Sequence, residues 1–201
     1  SHRQYSAKYW DSRAMAPSSL LYYLSVDKKI SGILHHTLFF DEDFDQHAEE
    51  IYTHPQWPSK PLFYVSATSK TDPTAAPEGK ENVFLLMPLA PGLKDDKEQR
   101  EQYYNLMMDR LEEHTGEEIR NHVLYKRSYA MQNFENDYHA FKGNAYGLAK
   151  DAFLGPRNAF LALVHAFLAP RFFSGQQKCI SVAQKCISGQ RMCISGSRNA
   201  F

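Results

Sequence analysis

Residues 20–26 read LLYYLSV. The run is apolar and aromatic, short, and bounded by polar residues, which predicts a buried β-strand. On its N-terminal side, residues 1–17 are polar and aromatic and end at Pro17, as a loop entering a domain does. On its C-terminal side, Asp27-Lys28-Lys29 reads as a polar turn before a second strand candidate, HHTLFF at 35–40. Asp41-Glu42-Asp43 suits a helix start, where carboxylates meet the positive end of the helix dipole. Phe44, Ala48 and Ile51 fall on one face of a helix over 42–52, which Pro55 and Pro58 end. LFYVSA at 62–67 and NVFLLM at 82–87 are two further strands, separated by a loop over 71–80 rich in Pro, Thr and Ala.

The clearest helix covers 95–114, where Tyr103, Met107 and Leu111 recur at spacing four beside Tyr104 and Leu106. Gly116 suits the position just past its end, because glycine takes a positive φ without steric cost. A fifth strand over 121–129 carries Val123, Tyr125 and Tyr129, and a short helix follows over 131–141. This order predicts an α+β fold: a mixed or antiparallel sheet with helices on one face.

The 201 residues suffice for one domain, or one domain plus a tail, around a sizeable core. The hydrophobic share of 43% and the charged share of 23% are those of a soluble globular protein. An aromatic content of 13% suits an apolar ligand site as well as ordinary core packing. Net charge is zero but unevenly spread. Arg157, Arg171, Lys178, Lys185, Arg191 and Arg198 stand against Asp151 alone in residues 151–201, so the first 150 residues are acidic by the same margin. With no basic stripe in that body, no nucleic-acid partner is expected. No run of about 18 apolar residues occurs, so no spanning helix is expected. No signal peptide is evident, and the chain opens at Ser1 without a methionine, as an internal start or a processed or cloned fragment would. The three cysteines lie beyond residue 150, so nothing in the body calls for an oxidising compartment.

From residue 150 the chain changes character. AFLGPRN, AFLALVH and AFLAPRF fill 152–172, and KCISVAQ, KCISGQR and MCISGSR fill 178–198. Gly155, Pro156 and Pro170 break any coiled coil in the first block, and the second lacks a paired apolar seam. Cys179, Cys186 and Cys193 lack the close paired spacing of a zinc site. Residues 150–201 therefore read as an atypical heptamer-repeat tail, like translated repetitive DNA, attached to a body at 1–149.

The body carries few self-sufficient chemical motifs. No GxGxxG, GxxxxGK[ST] or GxSxG occurs, so no nucleotide cradle or serine nucleophile is expected. His35 and His36 are adjacent in a strand and are expected on opposite faces, one toward the core and one toward solvent. His2, His47, His54, His114, His122, His139 and His165 form no metal-ligand pattern, and Asp41, Glu42, Asp43 and Asp45 read as a solvated helix start. The segment Gly143-Asn144-Ala145-Tyr146-Gly147 stands out, because two glycines flanking small and aromatic residues let backbone approach a flat ligand.

Five segments together resemble the bacterial and fungal type of phytoene desaturase and its relatives among carotenoid desaturases. They are KYWDSRAMAPSSLLYYLSVDKKI (8–30), HHTLFFDEDFDQHAEEIY (35–52), PLFYVSATSKTDPTAAPEGKENVFLLMPLAPG (61–92), HTGEEIR (114–120) and FENDYHAFKGNAYGLA (134–149). The resemblance implies the substrate-domain part of a two-domain FAD-dependent oxidoreductase that dehydrogenates phytoene toward lycopene-type carotenoids. It also implies a cytoplasmic location at a membrane surface, where such lipid-soluble substrates reside. Residues Gly143, Asn144, Tyr146 and Gly147 match the family stretch near flavin and substrate and are the candidate cofactor-binding residues. The family's N-terminal glycine-rich βαβ unit has no counterpart here, so the isolated chain is expected to be inactive. Alternatives are a non-catalytic remnant that binds isoprenoid lipid, or another FAD-dependent oxidase of the same fold, such as an amine oxidase relative.

Overall fold

The computed structural model describes residues 5–13 and 15–147, which belong to one compact unit. The heptamer repeats and the boundary at 149/150 lie outside the described residues. The elements follow the order α1 (Ala7–Asp11), β1 (Ser18–Val26), β2 (His36–Phe39), α2 (Phe44–Tyr52), β3 (Phe63–Ser66), β4 (Glu81–Leu89), α3 (Lys97–Thr115), β5 (Val123–Tyr129) and α4 (Met131–Tyr138). The five strands form one antiparallel sheet in the order β2-β3-β4-β1-β5. The LLYYLSV strand is thus interior. It pairs with β4 along its whole length, from Ser18 opposite Leu89 to Val26 opposite Glu81.

Alternation along the strands builds the core. Leu20, Tyr22, Leu24 and Val26 of β1 meet Val83, Leu85, Met87 and Leu89 of β4 and Phe63 and Val65 of β3 on one face. Helix α3 covers that face with Tyr103, Tyr104, Met107, Met108 and Leu111, all buried. Met108 lies in the core where the spacing-four reading had Leu106 beside the stripe; Leu106 is only half-buried. Gly116 ends α3 in the left-handed region at φ 68°, as its position predicts.

Two polar anchors fix α3. The Arg100 guanidinium grips Asp95 through Nε at 2.6 Å and Nη2 at 2.5 Å, while its Nη1 donates to Ser128 of β5 and Asn133 of α4. The buried Tyr22 hydroxyl donates to the Arg100 carbonyl at 2.5 Å. One residue thereby ties β1, α3, β5 and α4 together.

Helix α2 starts at Asp43, whose Oδ1 accepts from Gln46 N–H at 3.0 Å. This capping removes one orphaned donor of the first turn, so Asp43→Ala should cost about 1 kcal/mol. Thermal melts followed by circular dichroism should then show a fall of about 2–4 °C; an unchanged melting temperature would deny the cap a stabilising role.

Two expectations need correction. The N-terminal stretch read as a loop contains the short helix α1, which Ser6 caps by accepting from Tyr9 N–H at 3.1 Å. His35 and His36 do not point to opposite faces. Only His36 belongs to β2, so strand alternation does not govern the pair, and the two rings stack with centroids 4.1 Å apart. Among the described residues the buried histidine is instead His47 on α2.

Candidate functional site

The segment 143–147 is stitched to the approach of β1. Ala145 N–H donates to the Pro17 carbonyl at 3.1 Å, Ala16 N–H donates to the Gly147 carbonyl at 3.0 Å, and the Ser18 hydroxyl donates to the Gly143 carbonyl at 2.5 Å. The candidate residues divide by role. Gly143 has φ +60° and packs so closely on α4 that a Cβ there would meet Met131 backbone at 2.6 Å. Its lack of a side chain serves packing. Asn144 is buried; its Nδ2 donates to the Phe141 carbonyl at 2.6 Å, and its Oδ1 accepts from Gly147 N–H. That amide builds the turn. Gly147, at φ +86° with open space about its Cβ position, lines a groove, whereas Tyr146 is 39% exposed and lies outside the lining.

The groove has a volume of about 830 Å³. Its walls are Trp10 of α1, Met15, Phe134 and Tyr138 of α4, the turn His139–Phe141, and the candidate segment through Asn144, Ala145 and Gly147. The lining is largely apolar with a few polar groups, as in small-molecule sites. His139 and Lys142 adopt φ of 53° and 56°, so the turn beside the groove holds two non-glycine residues in the left-handed region. Each such residue stores strain of about 1 kcal/mol. Sequence reading brought Asn144 and Gly147 to this site but missed Trp10, Met15, Phe134 and Tyr138. Aromatic content was the available signal, and it did not distinguish groove from core.

A second surface adjoins it. On the sheet face opposite α3, the register aligns two rows across all five strands. One is His36, Ser66, Phe84, Tyr23 and Arg127; the other is Leu38, Tyr64, Leu86, Leu21 and Tyr129. Strands lie about 4.8 Å apart, so each row is about 19 Å long. Tyr64, Leu86 and Leu21 are buried, while Tyr23 is 45% exposed. The rings are in contact along the face. Tyr23 meets Phe84 at 5.2 Å, Phe84 meets Tyr64 at 6.4 Å, and Tyr64 meets His36 at 5.8 Å. Tyr129 at the β5 end touches Phe134 edge-on at 4.9 Å, so this face runs on into the groove wall. An apolar rod of linked sp² carbons would find van der Waals and ring contacts along such a strip.

The described residues do not fit the diphosphate of FAD. A dinucleotide needs free backbone N–H groups at a glycine-rich helix start. Here the first turns of α2 and α3 are capped by the carboxylates of Asp43 and Asp96, which would repel a diphosphate. The start of α4 is closed by Asn133, whose side chain accepts from Ala130 N–H. Among the described residues no group of three or more His, Cys, Asp and Glu could hold a metal ion, and no helix is long and apolar enough to cross a membrane.

No protein-family model matches the chain. The chain is 39% identical over 147 residues to a carotenoid 3,4-desaturase of Haloarcula japonica, an overlap covering 73% of this chain and 30% of that protein. It is 31% identical over 139 residues to a 4,4'-diaponeurosporene oxygenase of Staphylococcus haemolyticus, covering 68% of this chain and 28% of that protein. The same-named protein of Staphylococcus aureus is 29% identical over 139 residues, with the same coverages. The chain thus spans about three-tenths of the length of these curated relatives.

Proposed function

Since this chain is a carotenoid desaturase-like protein, we propose that it forms the polyene-binding portion of an oxidoreductase that modifies carotenoids, with phytoene as substrate and lycopene-type carotenoids as product. The observation that carries the reading is the aromatic strip running from His36 across Phe84 and Tyr23, with the groove at its β5 end. Such a surface holds a long apolar chain in one line and keeps water from it. The hydride acceptor implied by the family is FAD, whose diphosphate finds no cradle among the described residues, so no chemical step is assigned to them. Their part is to bind and align the substrate.

The reading also sets the protein at a membrane surface. Tyr5 stacks on Tyr9 at 4.4 Å, Tyr9 and Tyr5 meet Trp10 edge-on, and Arg13 lies over the Tyr9 ring. Aromatic rings beside basic groups suit the headgroup level of a bilayer, and Trp10 lies at the groove where a lipid-borne polyene would enter.

The test is direct. Purified chain mixed with detergent-dispersed phytoene should retain it through gel filtration, at about one polyene per chain, as measured by solvent extraction and absorbance. Tyr23→Asp, which puts a charge in the middle of the strip at a half-exposed position, should cut retention about tenfold or more. Absence of retention by the unaltered chain would defeat the reading. Addition of FAD should yield no coloured product, and colour would overturn the absence of a diphosphate cradle.

A further inference from the structure

Helix α1 is fastened to the groove by little. Five residues are too few to hold a helix on their own. Its backbone hydrogen bonds stay within residues 6–13, and Lys8, Tyr9, Trp10 and Asp11 are all exposed or half-buried. Yet Trp10 forms part of the groove wall. An ion pair from Asp11 to Lys142, at 3.0 Å, ties the helix to the turn that follows α4. The two ends of that pair are held differently. Lys142 is fixed at its root: its backbone sits at φ 56°, its carbonyl accepts from Gly92 N–H at 2.8 Å, and its stem passes Gly92, where a Cβ would stand 3.5 Å away. Backbone strain of this kind clusters at ligand clamps and switch segments. Asp11, by contrast, rides on a helix that adds nothing to the core cluster. The pair is also weak. Its side chains are 60% and 44% exposed, so water and salt screen it.

We propose that Asp11 and Lys142 form a latch that an anionic bilayer opens. A lipid phosphate takes Lys142 from Asp11, the ring cluster of α1 moves into the headgroup layer, and Trp10 uncovers the groove to a polyene arriving from the lipid. The inference rests on the membrane-surface reading above and adds to it the lipid class recognised and the contact it breaks. Charge favours that partner. The first 150 residues are net acidic, yet here Lys8, Arg13 and Lys142 stand against Asp11. Basic groups near an anionic leaflet are attracted to it, and the rings of Tyr5, Tyr9 and Trp10 suit the headgroup level. Losing so exposed a pair shifts the ratio of open to closed helix by only about threefold. The latch is therefore weak enough for headgroups to release, and in water it keeps Trp10 over the apolar lining.

The experiment uses the full chain carrying Trp57→Phe, which leaves Trp10 as its one tryptophan. Residues 151–201 are basic enough to draw the chain to anionic vesicles by themselves. Trp10 fluorescence is therefore the readout, expressed per vesicle-bound chain. In solution, Asp11→Asn should raise acrylamide quenching of Trp10 about twofold, and Lys142→Gln should match it. Vesicles of phosphatidylcholine and phosphatidylglycerol in equal parts, doped with brominated lipid, should quench Trp10 about twofold more than phosphatidylcholine alone. Lys142→Gln should bring that ratio to near one, while Asp11→Asn keeps it. Inorganic phosphate at the same phosphate concentration should leave Trp10 closed. Unchanged acrylamide quenching in Asp11→Asn, an undiminished lipid ratio in Lys142→Gln, or opening by inorganic phosphate alone would overturn the latch while leaving membrane binding intact. If brominated lipid of neither composition quenches Trp10, the membrane-surface reading goes and this inference with it.

Discussion

Gly143→Ala lowers the melting temperature by about 10 °C, whereas Gly147→Ala, four residues on, lowers it by only a few degrees. Both glycines have positive φ, at +60° and +86°, so both substitutions share the backbone penalty of about 1 kcal/mol for placing an L side chain in the left-handed region. The difference is steric. A Cβ on Gly143 would lie 2.6 Å from the Met131 Cα, Cβ and carbonyl oxygen, whereas one on Gly147 would have nothing within 4 Å. Backbone cannot rotate aside as the tip of a flexible side chain can. Helix α4 and the 143–147 segment must therefore separate, at a cost of about 2 kcal/mol more. Separation also strains the bond from the Ser18 hydroxyl to the Gly143 carbonyl and moves Asn144 in the groove wall. At about 2–4 °C per kcal/mol for a chain of this size, the total of about 3 kcal/mol gives the stated shift. Paired melts of the two variants decide the matter, since equal losses would show that close packing on Met131 does not explain the glycine.

The second large effect is a loss of stability in mild acid, traced to His47. This side chain is fully buried between α2 and the β3–β4 region. Its Nδ1 accepts from Leu62 N–H at 3.0 Å, which requires that nitrogen to be unprotonated, and its Nε2 lies 3.1 Å from the Pro88 carbonyl, to which it donates. Burial pulls its pKa down to about 4, outweighing the Pro88 hydrogen bond and the nearby Glu50 carboxylate, both of which favour the cation; Arg110 opposes it. The unfolded chain binds the proton near pH 6.5. Between these values the unfolded state carries more bound protons than the folded one, so stability falls as pH falls. Above about pH 6.5 the contribution is fully present, and by about pH 4 roughly 3 kcal/mol has been lost.

Urea unfolding across that range measures it. His47→Phe is less stable at neutral pH because it leaves Leu62 N–H and the Pro88 carbonyl unpaired. Its deficit relative to the unaltered chain should nevertheless shrink between pH 6.5 and pH 4, because it has no proton to take up. Identical slopes for the two proteins would rule out His47 as the source. Glu117 is held down to about 2 by hydrogen bonds from Lys28 and Ser31, and it acts in a lower window.

Much of the fold could be read along the chain. Strand β1 was visible in LLYYLSV because an interior strand with a buried face leaves a short apolar run between polar turns. Helix α3 was visible in Tyr103, Met107 and Leu111, and its end in Gly116, because helix periodicity and the positive φ of a cap are local constraints. The candidate segment was legible only as a segment. Its spacing could not say that Gly143 answers to Met131, that Asn144 spends its amide on a turn, or that Gly147 opens on a groove. Helix α1 was missed because five residues give no periodicity to read, and the stacked His35 and His36 because only one of them is in the strand.

Local pattern and homology determined that this chain carries a five-stranded α+β unit of carotenoid desaturase type, since the period of apolar residues is fixed by backbone geometry and does not depend on distant partners. Tertiary structure alone decided which aromatic rings share a face. Tyr23 meets Phe84 and Arg127 only through strand register, and Tyr64 reaches His36 only because β2 and β3 align as they do. Those partners lie dozens of residues apart, where the sequence holds no periodic signal and only hydrogen-bonded pairing sets the alignment.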